Sequence, residues 1–471
     1  MTTTARSALP AITRRAWLVL ALTSVGQMLT TFAGSALNVG FPVISADLDV
    51  ERTTLAWTIS GYAIAAAALL LAAGRAADRI GGRRVFLGGL GLFTLGSVLC
   101  ALTPNVGVLI GARVLQGMGS AAMIPSSLSI ALHEFPRERR SFAVAIWGAV
   151  AAIAGASGAP LGALLIELGD WRFVFVLLAV LGLATMAASV RYLRDPPLRP
   201  STGRVDLVSG PLASAAVGLV IAALLQSDNW GWTDRRVLAA LAVAPVLLAI
   251  VVVRSRTHPN PLVDLRLFRH RSFVVASSMT TVYNAATGGY WLAAPLFLQT
   301  VWGWSVLASG LAIAPGPLVH LTTARWMGHL AEAGYHRLLM IGGTALTAAG
   351  IGSLALFVTE TSNYWTTILP AALVTGLGGA MAWPTFTSAA LLDIPADQYG
   401  EANGVNLTMR QLGGAMGIAV VITVIGNRSD AQLSSFHAAW TLLAVALLIA
   451  SALLAWAYPR RRDDPDRTRL V

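Results

Sequence analysis

Fourteen long apolar runs, separated by short polar stretches, organise the chain. They cover 17–43, 54–74, 85–103, 106–132, 141–166, 171–190, 207–226, 236–253, 273–299, 305–324, 338–358, 366–392, 404–426 and 436–458. Within each run the apolar residues are continuous, without the alternation that marks a half-buried or barrel strand. About 20 residues of helix cross about 30 Å of hydrocarbon, so each run predicts one membrane-crossing helix. The first run follows Arg14 and Arg15 as a leader sequence would. It is too long for such a leader's apolar core and continues straight into a second span, so it reads as a retained helix. The two notable connections, 191–206 and 254–272, bracket the seventh and eighth runs. The pattern therefore predicts an all-α integral membrane protein. A six-helix bundle spans 17–193, a two-helix insert with its flanking loops spans 194–272, a second six-helix bundle spans 273–458, and tails occupy 1–16 and 459–471.

Composition strengthens this picture. Of the 471 residues, 56% are hydrophobic and 12% charged, where a soluble protein carries about 25% charged residues. The mean hydropathy is +0.68, and no large soluble domain fits between the runs. The net charge is +11, and all 33 basic residues are arginine. Of these, 26 fall on one side of the predicted membrane, 5 on the other, and 2, Arg113 and Arg410, within runs. The positive-inside rule then places both termini in the cytoplasm and the protein in the cytoplasmic membrane. Scattered between apolar runs, the arginines form no nucleic-acid-binding patch. Cys100 is the sole cysteine, so no disulfide within the chain and no cysteine metal site is expected. His133 and Glu134 do not extend to a zinc-protease motif, and without lysine there can be no Gly-x-x-x-x-Gly-Lys-Ser/Thr loop to drive transport with ATP. No enzyme, no metal and no cofactor is expected.

Three stretches carry candidate chemistry. Between the second and third runs stands Gly74-Arg-Ala-Ala-Asp78-Arg79-Ile-Gly81-Gly-Arg83-Arg84. Its glycines permit a tight turn, and Asp78 can cap a helix or pair with a neighbouring arginine. The fourth run contains Arg113-Val-Leu-Gln116-Gly117-Met-Gly119. Arg113 lies about 10 Å along its helix, where an arginine costs about 2.5–3.5 kcal/mol on insertion scales. It needs a cavity or a partner, and Gln116 and Gly117 share its helix face. The fifth run holds Gly155, Gly158, Pro160 and Gly162, of which Gly158 and Gly162 form a small-residue packing seam.

These stretches resemble motifs of the major facilitator superfamily: its signature loop after the second helix, its fourth-helix motif and its fifth-helix antiporter motif. Gly328-His-Leu-Ala-Glu332-Ala-Gly334 is a weaker copy of the loop in the second half, consistent with two related halves. Trp171-Arg172-Phe173, Pro261-Leu-Val-Asp264 and Asn403-Gly404-Val-Asn406 through Arg410-Gln411-Leu-Gly413-Gly414 narrow the resemblance to the fourteen-helix drug–proton antiporter branch. Two departures stand out. Gly82 replaces an arginine of the loop, and Ala33 occupies a first-helix position where that branch often carries an aspartate, five residues before Asn38.

The resemblance implies an exporter of a small amphipathic compound by alternating access, in exchange for protons, with the loop around Asp78 gating the cytoplasmic side. The expected partners are a small-molecule substrate, protons and the lipid bilayer, with the chain acting as a monomer. With no acidic residue deep inside a run, proton coupling has three candidate routes: Glu167 with Arg113 modulating it, His320, or no protein group at all, as in a uniporter or a carrier coupled through its substrate's charge. An importer and a non-transporting sensor remain alternatives. Gln27, Asn38, Tyr62, Trp147, Tyr283, Asn284, Trp291 and Trp383 are the candidate cavity residues. A cavity fronted by Arg113 without carboxylates favours neutral, zwitterionic or anionic compounds.

Overall fold

The computed structural model describes residues 12–136, 139–194, 206, 208–258, 261–395, 398–426 and 432–459, apart from the side chains of Asp78, Ser141, Ala145 and Asp228. Most of the tails and the long loop before the insert lie outside them. Every regular element among the described residues is helical. The first six are α1 (Arg14–Asp47), α2 (Arg52–Ile80), α3 (Gly82–Ala101), α4 (Val106–Glu134), α5 (Arg140–Glu167) and α6 (Arg172–Tyr192). Then follow α7 (Ser209–Trp230) and α8 (Arg235–Thr257). The last seven are α9 (Arg271–Thr300), α10 (Val306–Ile313), α11 (Pro315–Glu332), α12 (His336–Phe357), α13 (Ile368–Leu391), α14 (Tyr399–Ile425) and α15 (Leu433–Ala457).

Fourteen spans become fifteen helices because the tenth run is broken. Pro315 lacks the N–H that would continue α10, and α11 restarts at that proline. Among the described segments, 13 are long and apolar enough to cross a membrane, counting α10 and α11 as one. The remaining long helix is α9, with 30 residues. Ser277, Thr280, Thr281, Asn284 and Thr287 give it a polar stripe that lowers its hydropathy.

Two run boundaries move. The second helix extends to Ile80, so most of the Gly74–Arg84 stretch is helix and the connection shrinks to Gly81, whose φ of +104° suits glycine. Asp78 therefore lies inside α2 and does not cap α3; its side chain is outside the described residues. Likewise α11 runs on to Glu332, so Gly328–Glu332 is helical and the turn falls at Gly334, with φ +97°.

Each bundle packs on itself. In the first, α1 lies on α5 and α4 on α2 and α3; in the second, α9 lies on α14 and α12 on α13 and α15. Helix α7 sits on both α2 and α14, where the Thr423 hydroxyl donates to the Leu224 carbonyl (2.8 Å). Helix α8 packs behind α7 with little of its surface covered.

Take the end at which α1 begins as proximal. At the distal end the bundles close on each other. Gln299 Nε2 of α9 donates to the Val39 carbonyl of α1 (2.9 Å). A Cβ on Gly310 of α10 would stand 2.7 Å from that of Ala163 on α5. At the proximal end one flank is strapped among the described residues. Arg75 of α2 pairs with Glu401 of α14 (3.3 Å) and donates to the Leu262 carbonyl (3.0 Å); Glu401 also accepts from the Asp264 N–H. On the other flank α4 packs on α1, α2, α3 and α5, and α13 on α9–α12 and α14, each within its own bundle. Phe142, Val144, Gly148 and Ile153 of proximal α5 stay exposed. The contacts of α5 across the bundles are with α10 and α11, so a cleft open at the proximal end would lie between α4 and proximal α5 on one wall and α13 and α14 on the other.

Candidate transport site

Arg113 does not front that cleft. It is fully buried inside the first bundle. Its Nε donates to the Thr58 carbonyl (3.1 Å) and its Nη1 to Gln116 Oε1 (2.7 Å). Gln116 Nε2 in turn donates to Ser97 Oγ (2.7 Å). The Tyr62 ring covers the guanidinium at 4.3 Å, and the Tyr62 hydroxyl reaches the Thr30 carbonyl of α1 (3.4 Å). This set ties α4 to α1, α2 and α3 through one charge, and no carboxylate takes part. Gly117 lets α2 come close, because a Cβ there would collide with the Tyr62 carbonyl. Arg113 and Tyr62 thus sit behind the wall, and the expectation that Arg113 sets the cavity's charge is corrected.

The fifth-helix glycines form the seam between α5 and α1. A Cβ would stand 3.6 Å from Thr31 at Gly155, 2.5 Å from Ser35 at Gly158 and 2.6 Å from Ala36 at Gly162. Pro160 lies within the continuous helix.

Glu167 is exposed at the distal end of α5, yet it reaches the other bundle. Its Oε2 accepts from the Leu307 N–H (2.9 Å), in the first turn of α10. There it meets orphan backbone donors and the positive end of the helix. It thereby joins the two bundles at their closed distal end. Nearby, Asp47 accepts from Trp171 Nε1 (2.9 Å) and pairs with Arg172 (3.0 Å), fastening α1 to α6.

Of the candidate cavity residues, Gln27 and Asn38 on α1 hold side-chain oxygens with no hydrogen-bond partner among the described residues. Trp147 donates to Ser127 Oγ across α4 and α5 (3.1 Å). Tyr283 is buried, with its hydroxyl 3.1 Å from Thr347 Oγ1; Asn284 donates to the Thr280 carbonyl (2.8 Å). Trp291 is half-buried against Tyr290. Trp383 is 41% exposed, with His320 edge-on at 5.7 Å and the Arg410 guanidinium 5.5 Å from its ring. His320 tucks against Gly379, where a Cβ would stand 3.1 Å from its Nδ1. Of the loop motif, Arg83 reaches the Val190 carbonyl (2.9 Å) and Arg84 the Ile80 carbonyl (3.4 Å). Gly74 and Arg79 lie on the last turns of α2.

Sequence reasoning did not assign Arg410, Glu401 or Gln299 to the site. The signal for Arg410 was available, since it is a charge inside a run. The other two act across the bundles, on partners far away in the chain.

Comparison with known proteins completes the assignment. The chain is 33% identical over 94% of its length to the cephamycin export protein CmcT of Amycolatopsis lactamdurans, covering 92% of it. It is 32% identical over 93% of its length to the methylenomycin A resistance protein of Streptomyces coelicolor, covering 92% of that protein. A 30% identity over 88% of the chain relates it to the multidrug resistance protein Stp of Mycobacterium tuberculosis, 77% of which is covered. A POT family transporter in complex with a thioalcohol conjugated peptide superposes with a TM-score of 0.70 at 15% identity, over 93% of this chain and 95% of that one, which shows the shared fold. Residues 23–418 match the family described as Major Facilitator Superfamily, and the chain belongs to that family of membrane transporters.

Proposed function

We propose that the protein exports a small amphipathic compound from the cytoplasm by alternating access, in exchange for protons. The observation that carries this reading is the one-sided arrangement of the bundles: joined distally by Glu167 and Gln299, parted proximally beside α4 and α5, with the half-exposed Trp383 and Arg410 facing each other across α13 and α14. The arginine asymmetry puts the proximal end in the cytoplasm, so this is the state that loads substrate from inside. Names of the relatives, an export protein and two resistance proteins, support the outward direction. The protein works as a monomer in the cytoplasmic membrane.

Glu167 supplies the proton step. As a carboxylate it holds the Leu307 N–H and the α10 terminus; protonated, it loses the charge that strengthens both contacts. A proton arriving from outside would loosen the distal closure and favour the outward-open state. A second reading, export without proton exchange, draws on the placement of the described carboxylates, all of which lie near helix ends or in connections.

Proteoliposomes loaded with a pH-sensitive dye decide between the two, once a growth-inhibition panel in an efflux-deficient host has named an exported compound. The wild type should move protons against that compound. Glu167→Gln should keep substrate binding and lose most of the dependence of flux on the pH gradient. Undiminished proton flux in Glu167→Gln would remove this carboxylate from the coupling.

A further inference from the structure

We propose that Arg410, with Trp383 and His320 beside it, is the seat for an anionic group, a carboxylate, on the transported compound. This rests on the reading of the cleft as the transport route.

The two arginines inside spans have opposite surroundings. Arg113 has a carbonyl, an amide oxygen and a ring, and is sealed from solvent. Arg410 has the Trp383 ring at 5.5 Å and no hydrogen bond or ion pair among the described residues. It is half-buried, and none of its nitrogens is among the polar atoms sealed in without a partner, so they keep accessible surface. It stands about 16 Å along α14 from Tyr399, near the middle of the membrane. A cation at that depth is costly without a partner, and one ring beside it offsets part of that cost. The described acids do not help, because Glu401, at the proximal end of α14, is engaged by Arg75. An arginine left so under-satisfied at mid-depth in an open cleft is a site awaiting an anion.

Geometry narrows the class of ligand. The guanidinium fork matches a carboxylate bidentately. Trp383, 41% exposed, offers its free surface to a flat apolar portion of the same molecule. His320 makes a T-shaped contact with that ring and itself lies against Gly379. Beyond Gly379 the Tyr283 and Thr347 hydroxyls bond to each other, so they are already engaged. The fitting compound is a monoanion with an apolar, preferably aromatic, body; a lipophilic dication is repelled.

The test uses the purified full chain in lipid nanodiscs and three matched probes: 2-naphthylacetate, its methyl ester and 2-naphthylethylammonium. Calorimetric binding and ligand-induced thermal stabilisation are measured. The wild type should bind the acid about 10- to 100-fold more tightly than the ester, the worth of a charged hydrogen bond, and the ammonium not at all. Arg410→Gln should erase the preference for the acid, and Arg410→Lys should restore part of it. Trp383→Leu should weaken acid and ester alike. Equal binding of acid and ester by the wild type, or no acid-selective binding at all, overturns the proposal without needing any variant to fold. The export reading fails separately: acid-selective binding that depends on Arg410, with no efflux of any compound from vesicles, would leave the seat standing and remove the direction.

Discussion

Fully sealed charge in this protein is met by neutral acceptors at Arg113 within a span and by an ion pair at Asp206 near a helix end. Arg113 shows the first device, its guanidinium shared between a backbone carbonyl and Gln116. Asp206 shows the second. It is buried just before α7, pairs with Arg254 of α8 (2.9 Å) and accepts from the Ser209 hydroxyl and the Val208 and Ser209 N–H groups. Burial alone would raise its carboxyl, but the bonds from Ser209, Arg254 and the backbone outweigh burial and hold it at about 2. The folded value lies below that of an unfolded aspartate, about 3.9. The stabilisation is therefore complete above about pH 4 and is lost as pH falls through the folded value. Asp206→Asn should lower the melting temperature of the purified protein at pH 7, and the gap from wild type should narrow as pH drops towards 3. A gap that does not change with pH would mean that the aspartate contributes shape rather than charge.

Helices in this fold approach wherever side chains are absent, and the α1–α5 seam is the clearest case. At Gly162 a new Cβ would stand 2.6 Å from Ala36 Cβ and 2.9 Å from Ala36 Cα. Backbone cannot yield as a flexible side-chain tip can, and overpacking of this kind costs about 1–3 kcal/mol. Gly148, on the same helix but beside the cleft, has nothing within 4 Å. Gly162→Ala should therefore lower thermal stability in detergent, and Gly148→Ala should leave it unchanged or raise it slightly; equal melting temperatures would refute the tight seam. The same contrast explains what could be read ahead of the structure. Continuous apolar runs announce the spans, and Pro315 announces the break between α10 and α11, because both are local properties. Arg113's depth is local too, but its neighbours are not: Thr58 and Tyr62 lie on another helix, and only packing shows that the charge points into the bundle. Glu167 reads as a helix-end acid until Leu307, 140 positions on, is brought beside it. Arg410 is visible as a charge within a run, yet its want of an acceptor is a property of the assembled walls.

Alternating access requires that one closure open as the other forms, and the closures here are unequal in kind. The distal one combines a carboxylate cap at Leu307 with tight apolar contact between Gly310, Ala159 and Ala163. The proximal strap of Arg75 and Glu401 joins one flank and leaves the cleft open on the other. Removing charge from the distal closure should therefore shift the population outward, since the neutral hydrogen bond from Gln299 to the Val39 carbonyl and the apolar contact are what is left to hold it. The sole cysteine, Cys100, is fully buried, so single introduced cysteines can report on this with little background. In wild type, Gly148→Cys should react with a membrane-impermeant maleimide applied from the cytoplasmic side, and a cysteine at Ser309 of α10, buried in the structure, should resist it from outside. Adding Glu167→Gln should raise labelling at 309 from outside and lower it at 148 from inside, the two changing together. Labelling at 309 that rises with no fall at 148 would indicate local fraying of α10 instead of a rocking of the bundles, and the coupling of Glu167 to the transport cycle would have to be abandoned.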